Sequence, residues 1–210
     1  MASVGIVVLA AGRSTRFKQG GASKLLAVVG GVPLVRSAVA AAIESGVGEV
    51  VVVTGHRAHE VAAALDGLRV RLTLEPAFAD GMAASLRRGV IELSNMSAVM
   101  VGLGDQPGMR PDAYRRVVRR WRTSGAPIVV PCYGESSAPA HPVLFAAPIF
   151  DEILALHGDM GARSIIAHDR TRVAEETLEW AAPNDVDTLE DLEALESGSA
   201  RSPNRDADDT

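Results

Sequence analysis

Between residues 4 and 130 short apolar, β-branched runs alternate with stretches whose apolar residues recur at helical spacing. This alternation constrains the fold more than any other feature. Val4–Leu9, Val50–Val53, Val70–Leu74, Ala98–Leu103 and Ile128–Val130 read as strands. Leu34–Ser45, Ala58–Leu65, Gly81–Leu93 and Pro111–Thr123 read as helices, and Gly30–Pro33 as a turn. The strands are continuously apolar, which is the mark of strands buried on both faces. Strand–helix alternation of this kind predicts an α/β protein: a mainly parallel central sheet in a three-layer α/β/α arrangement. Ligands of such sheets bind at the carboxyl ends of the strands.

Past residue 131 the rhythm changes. A loop over Pro131–Pro142 leads to a short strand at Val143–Phe145 and a helix over Ile149–Leu156. Next come a helix ending at His168, a strand around Arg172–Glu175 and a last helix. Thr188 and Asp191 give that helix a capping-box variant. From Ser197 the chain turns polar without periodicity, so residues 197–210 are expected to be a disordered tail. The 210 residues suit one domain over 1–196, with 1–130 and 131–196 as its two parts.

Composition narrows the function classes. Net charge is −5, against nucleic acid as the main partner. No apolar run approaches the roughly 20 residues of a membrane span, and no basic segment precedes the first strand as in a signal peptide. Cys132 is the only cysteine, so no internal disulfide can form. A reducing cytoplasm is the expected setting.

Chemistry concentrates at the end of the first strand. Ala10-Ala11-Gly12 is a small-residue turn followed by Arg13, Ser14, Thr15, Arg16 and, further on, Lys24. Successive N–H groups after a strand make a nest for an anion, and two guanidinium groups and an ammonium add charge for a polyphosphate. The same residues also serve as an ordinary βα turn with solvated bases. Neither common phosphate loop is present. Asp105, in Gly102-Leu103-Gly104-Asp105-Gln106-Pro107, falls at the carboxyl end of the fourth strand, on the same edge. A carboxylate facing a triphosphate is what a magnesium ion needs, though an Asx turn before proline explains it too. Asp185-Val186-Asp187-Thr188 reads first as a helix cap with an acidic opening turn. His56 and His59 lack a third ligand nearby, so zinc is not expected. Arg115, Arg116, Arg119, Arg120 and Arg122 form a stripe read as a solvated helix face. Cys132 reads as a small core residue.

Leu9-Ala10-Ala11-Gly12-Arg13-Ser14-Thr15-Arg16, then Lys24-Leu25-Leu26, resembles the signature L-A-A-G-x-S-x-R…K-L-L of MobA-like nucleotidyltransferases. Within that family the chain looks most like the molybdenum cofactor cytidylyltransferases. Further resemblances follow in order, from Val8 to Leu195. Gly81-Met82-Ala83-Ala84-Ser85-Leu86 resembles a G-M-x-x-S-L motif, though Glu75 and Phe78 stand where asparagine and tryptophan are usual. Gly104-Asp105-Gln106-Pro107 matches the metal motif. Ala140-His141-Pro142-Val143-Leu144-Phe145 resembles G-H-P-V-L-F with alanine for glycine, after a loop that lacks the usual arginine. Gly158-Asp159-Met160-Gly161-Ala162-Arg163 matches closely, and Asp187 falls in the place of a second metal aspartate, with Leu189 where proline is usual.

The resemblance implies a Rossmann-like nucleotidyltransferase fold and transfer of CMP from CTP to the terminal phosphate of molybdopterin, with Mg2+. It assigns Arg16, Lys24 and Asp105 to catalysis, and Asp105 and Asp187 to the metal. Leu9, Ala10, Ala11, Gly12, Arg13, Ser14, Arg16, Lys24, Gly81, Met82 and Ser85 are assigned to the nucleotide, with Thr54 and Gly55 at the end of the second strand. His141 and Arg163 are assigned to the pterin acceptor, within residues 131–196. A molybdoenzyme or its maturation factor is the implied recipient of the product. Ala11, where guanosine-using relatives carry glycine, points to cytidine, since a methyl there crowds a purine. A GTP-using or other small-molecule nucleotidyltransferase of the same fold, an NAD(P)H-dependent reductase related to nicotine blue oxidoreductase and a non-catalytic molybdenum cofactor chaperone are the alternative readings.

Overall fold

The computed structural model describes residues 2–13, 17, 23–134, 139–183 and 186–199. Ser14 and Arg16, both assigned to the nucleotide, lie outside these residues, as does the tail from 200 on. Strand β1 (Val4–Ala10) is followed by the small hairpin β2 (Val28–Val29) and β3 (Val32–Pro33), then α1 (Leu34–Glu44) and β4 (Val50–Thr54). Next come α2 (Ala58–Ala64), β5 (Arg71–Leu74), α3 (Met82–Glu92), β6 (Ala98–Leu103), α4 (Pro111–Ser124) and β7 (Ile128–Tyr133). The chain continues through β8 (Val143–Ala146), α5 (Phe150–Leu154), α6 (Arg163–His168), β9 (Val173–Leu178) and α7 (Leu189–Ser199).

Seven strands form one sheet in the order β5-β4-β1-β6-β8-β7-β9. Six run parallel, and β8 alone runs against its neighbours β6 and β7. Alternate residues of each strand serve opposite faces. Ile6, Val8, Val52 and Met100 join α1, α2 and α4 on one side, whereas Val7, Val51, Val53 and Val101 join α3, α5 and α6 on the other. This double burial explains the unbroken valine runs. From β1 the chain moves outward to β4 and β5, then returns to the other side of β1 as β6. Connections that leave a strand pair in opposite directions open a crevice at its carboxyl ends. That crevice lies between the ends of β1 and β6.

Several boundaries depart from the sequence reading. Gly30 and Gly31 take φ of 57° and 81° and close the β2–β3 hairpin, so Val32 and Pro33 are strand rather than turn. β7 does not stop at Val130 but runs through Pro131 to Tyr133. Its pairing with β8 covers only Ile128 and Val129, and Pro131 O accepts from Ala140 N at 3.1 Å. The proline nitrogen faces that same side, where the ladder has already ended. α7 continues through Ser199, so residues 197–199 are helical rather than tail. The arginine stripe of α4 is also not merely solvated. Arg116 donates to Glu176 Oε1 at 2.7 Å and Thr177 O at 2.8 Å, Arg120 to Glu175 O, and Arg115 to Glu44 O and Ser45 O. The stripe ties α4 to β9 and to the end of α1. Cys132 is buried in β7, as expected of a core residue.

Candidate active site

A cavity of about 400 Å³ opens where β1 and β6 end. Its floor is the end of β1 and the turn after it: Leu9, Ala10, Ala11, Gly12 and Arg13 line it, with Ala10 and Ala11 almost fully buried. Leu103 and Asp105 enter from β6. The two strand ends are stitched together, since Gly104 donates its N–H to Leu9 O at 2.9 Å. A side chain at Gly104 would press on Leu9 O at 3.2 Å and on Ala10 at 3.3 Å, so glycine is what lets the backbones approach.

One wall comes from α3. Gly81 opens that helix at φ 108°, a conformation that L side chains rarely adopt, and Met82 and Ser85 follow on the cavity side. Phe78 completes this wall, and the Arg13 guanidinium stands 5.5 Å from its ring centroid. Glu75, which departs from the usual residue, accepts the Ala77 N–H at 2.8 Å and so holds the turn that presents Phe78. Gly55 backs the wall: any side chain there would strike Phe78 and Ala11. Thr54 donates its hydroxyl to Thr73 O at 3.1 Å in the interior. Neither Thr54 nor Gly55 lines the cavity, and both shape it from behind.

The opposite side carries the charges. Lys24 sits on a single 3-10 turn, Lys24–Leu26, anchored by buried Leu25. Its ammonium lies 2.5 Å from Asp105 Oδ2 and 2.7 Å from Asp187 Oδ1. Burial would lower the lysine pKa, but Asp105 and then Asp187 outweigh it and hold it above the ordinary value. Asp187 reaches this place because the chain returns to it: Val186 N donates to Asp105 O at 3.3 Å. Val186 itself is buried in a small cluster with Phe17 and Leu34, on which Leu192 and Leu195 of α7 pack. The capping box holds as predicted, with Asp191 N bonded to Thr188 Oγ1 and Thr188 N to Asp191 Oδ2. It also does more, since Asp191 Oδ2 accepts from Asp187 N at 3.0 Å and fixes the backbone of the second carboxylate.

Hard divalent ions take oxygen donors, and those bound with nucleotides use one or two carboxylates plus phosphate and water. Asp105 and Asp187 already share one cation, so the donor set fits such an ion. Among the described residues no three His, Cys, Asp or Glu side chains group into a closed metal cage. His56 instead packs near Phe78, ring centroids 6.2 Å apart.

The residues assigned to the acceptor lie elsewhere. His141 sits at the same sheet edge but outside this cavity, its Nδ1 3.2 Å from Val101 O, while its own carbonyl accepts from the Tyr133 hydroxyl at 2.7 Å. Arg163 is exposed at the start of α6 and does not line the cavity. Asp159, from the same motif, does line it. No side-chain cap closes α6, so Asp159 is not held there as a helix cap. The loop that carries it is clamped to α3: Ala83 N donates to Gly158 O at 3.1 Å, and Gly81 leaves no room for a Cβ beside Gly158. Leu25, Phe78, Ala79 and Leu103 are further lining residues that were not assigned in advance. Their signal was adjacency to the assigned motifs.

Residues 6–175 match the MobA-like NTP transferase domain. The bifunctional protein GlmU of Sorangium cellulosum is 37% identical over 113 residues, 50% of this chain and 24% of that protein. The chain spans about a quarter of the length of such curated relatives. The solved Rv0371c homolog from Mycobacterium sp. strain JC1 superposes with a TM-score of 0.82 at 28% identity, covering 95% of this chain and 98% of that one. Rv0371C of Mycobacterium tuberculosis H37Rv, solved in complex with manganese, gives 0.78 at 26% identity, covering 93% and 98%. With the match running from within β1 into β9, the chain belongs to the MobA-like NTP transferase domain family.

Proposed function

We propose that this nucleotidyltransferase moves CMP from CTP to the terminal phosphate of molybdopterin, releasing pyrophosphate and forming molybdopterin cytosine dinucleotide. The observation that carries the reading is the Lys24 ammonium between Asp105 and Asp187, facing the β1 turn across one cavity. It supplies a cationic group and a two-carboxylate cation site beside a nest suited to a polyphosphate.

Chemically, an oxygen of the acceptor phosphate forms a bond to the α-phosphorus of CTP. The bond from that phosphorus to the bridging oxygen breaks, and pyrophosphate leaves with the electron pair. A phosphate nucleophile is already ionised at neutral pH, so positioning and charge neutralisation carry most of the acceleration. Arg13, Arg16 and Lys24 neutralise the triphosphate, with Gly12 allowing close approach of the backbone. Asp105 and Asp187 would hold Mg2+, which when bound supplies charge neutralisation on the phosphates. The manganese complex of the mycobacterial relative supports a divalent ion. Phe78, Gly81, Met82 and Ser85 make a shelf for the base, and the buried Ala11 methyl favours a pyrimidine. His141 and Arg163, in the part of the chain from 131 to 196, flank the acceptor. A molybdoenzyme or its maturation factor receives the product, in the cytoplasm.

Pyrophosphate release with molybdenum cofactor and Mg2+, run separately with CTP, GTP and ATP, tests this. Release with CTP alone is expected. Release with GTP instead would overturn the base assignment. No release with any nucleotide, from folded protein, would sink the transferase reading.

A further inference from the structure

Lys24 holds the two carboxylate oxygens that a divalent ion would use. Its contacts at 2.5 Å and 2.7 Å leave no space for a second cation between the same atoms. An ammonium and a divalent ion repel, so the two cannot share Asp105 and Asp187 in this arrangement. The carboxylates in turn need a cation. Asp105 and Asp187 come from distant parts of the chain and are pinned together by the Val186–Asp105 backbone bond at 3.3 Å. Left alone they would face each other as like charges.

We propose that Lys24 is the exchangeable counter-ion of the metal site. In the free protein it holds Asp105 and Asp187 together, and it surrenders both when the divalent ion arrives, turning its ammonium to the triphosphate. This rests on the reading of the two aspartates as metal ligands. The backbone favours such an exchange. Lys24 is fixed by a closed 3-10 turn, with Ala27 N bonded to Lys24 O at 3.0 Å and Leu26 N to Ser23 O at 3.0 Å. Only its flexible four-carbon stem has to move, and the stem lines the cavity in which the phosphates are expected. Charge also balances. Two carboxylates and one ammonium sum to −1. Replacing the ammonium with a divalent ion brings the carboxylate site to zero and releases one positive charge for the phosphates. One lysine thus does two jobs in sequence.

Mn2+ binding to the protein without nucleotide, followed by the electron paramagnetic resonance signal of the free ion, tests the exchange. Lys24→Met removes the competitor, and Mn2+ is expected to bind about tenfold or more tightly than to the parent protein. The double variant Lys24→Met/Asp187→Asn should lose that gain. Circular dichroism melts check folding, and Lys24→Gln replaces Lys24→Met if the latter does not fold. Equal or weaker Mn2+ binding by a folded Lys24 variant would overturn the proposal. No Mn2+ binding by any form would overturn both it and the metal assignment beneath it. Because no nucleotide or acceptor is present, failure of pyrophosphate release would sink the transferase reading without touching this result.

Discussion

Asp105 touches Lys24 through its side chain and Val186 through its backbone, so the two roles can be separated by substitution. Asp105→Asn keeps the backbone bond and removes the charge. It should lower the rate of pyrophosphate release by about 10²-fold or more, the usual scale for losing one preorganised electrostatic contact. An unchanged circular dichroism spectrum would assign the loss to chemistry rather than folding. Phe78 belongs to a different class, because it shapes the wall and carries the Arg13 guanidinium on its face. Phe78→Ala should weaken CTP binding in calorimetry by about five- to tenfold, consistent with a cation–π contact of about 1 kcal/mol plus lost packing. The turnover number should change far less. The cavity-lining residues at the ends of β1 and β6 were readable because they fall in short motifs. Asp159 was not, because its place in the cavity depends on how a distant loop docks on α3.

α7 looks peripheral, yet it sets the position of the second carboxylate. Its cap bonds reach Asp187 and Thr188, and Leu192 and Leu195 rest on Val186, Phe17 and Leu34. Thr188→Ala removes the hydroxyl that accepts from Asp191 N at 3.2 Å. A lost cap of this kind costs about 1 kcal/mol. Thermal denaturation should show that loss, and Mn2+ affinity should fall with it as Asp187 loosens. The same latch is sensitive to acid. Backbone N–H groups of Asp187 and Thr188, and then the Thr188 hydroxyl, hold the Asp191 carboxyl below its ordinary value of 3.8. A depressed carboxyl contributes fully above its unfolded value and loses the contribution as pH falls through the lower, folded one. An acid titration followed by the amide resonance of Thr188 should therefore show its midpoint below pH 3.8. The capping box was legible as Thr188 and Asp191, three positions apart in sequence. The link from it to the Asp187 carboxylate was not, because sequence spacing says nothing of which loop the helix covers.

At the scale of the molecule, periodicity revealed the layers and the parallel majority of strands, but not the order of the sheet. β8 could be read as a strand from Val143-Leu144-Phe145, while its reversal between β6 and β7 could not, since side-chain alternation is the same in either direction. Leu144 lies at the centre of that inserted strand, fully buried against the α1–α4 side of the core. Leu144→Ala should destabilise the fold by about 2–5 kcal/mol, seen as a lower midpoint in urea denaturation. The contact between Lys24 and Asp187 joins positions 163 residues apart. Contacts so distant in sequence form late, since long loops must close before they are rewarded. A chain emerging from the ribosome therefore presents the turn after β1 and Asp105 well before Asp187 has been synthesised. A product truncated ahead of residue 186 would carry Asp105 and never the Asp105–Asp187 pair, leaving Lys24 with one of its two carboxylate partners.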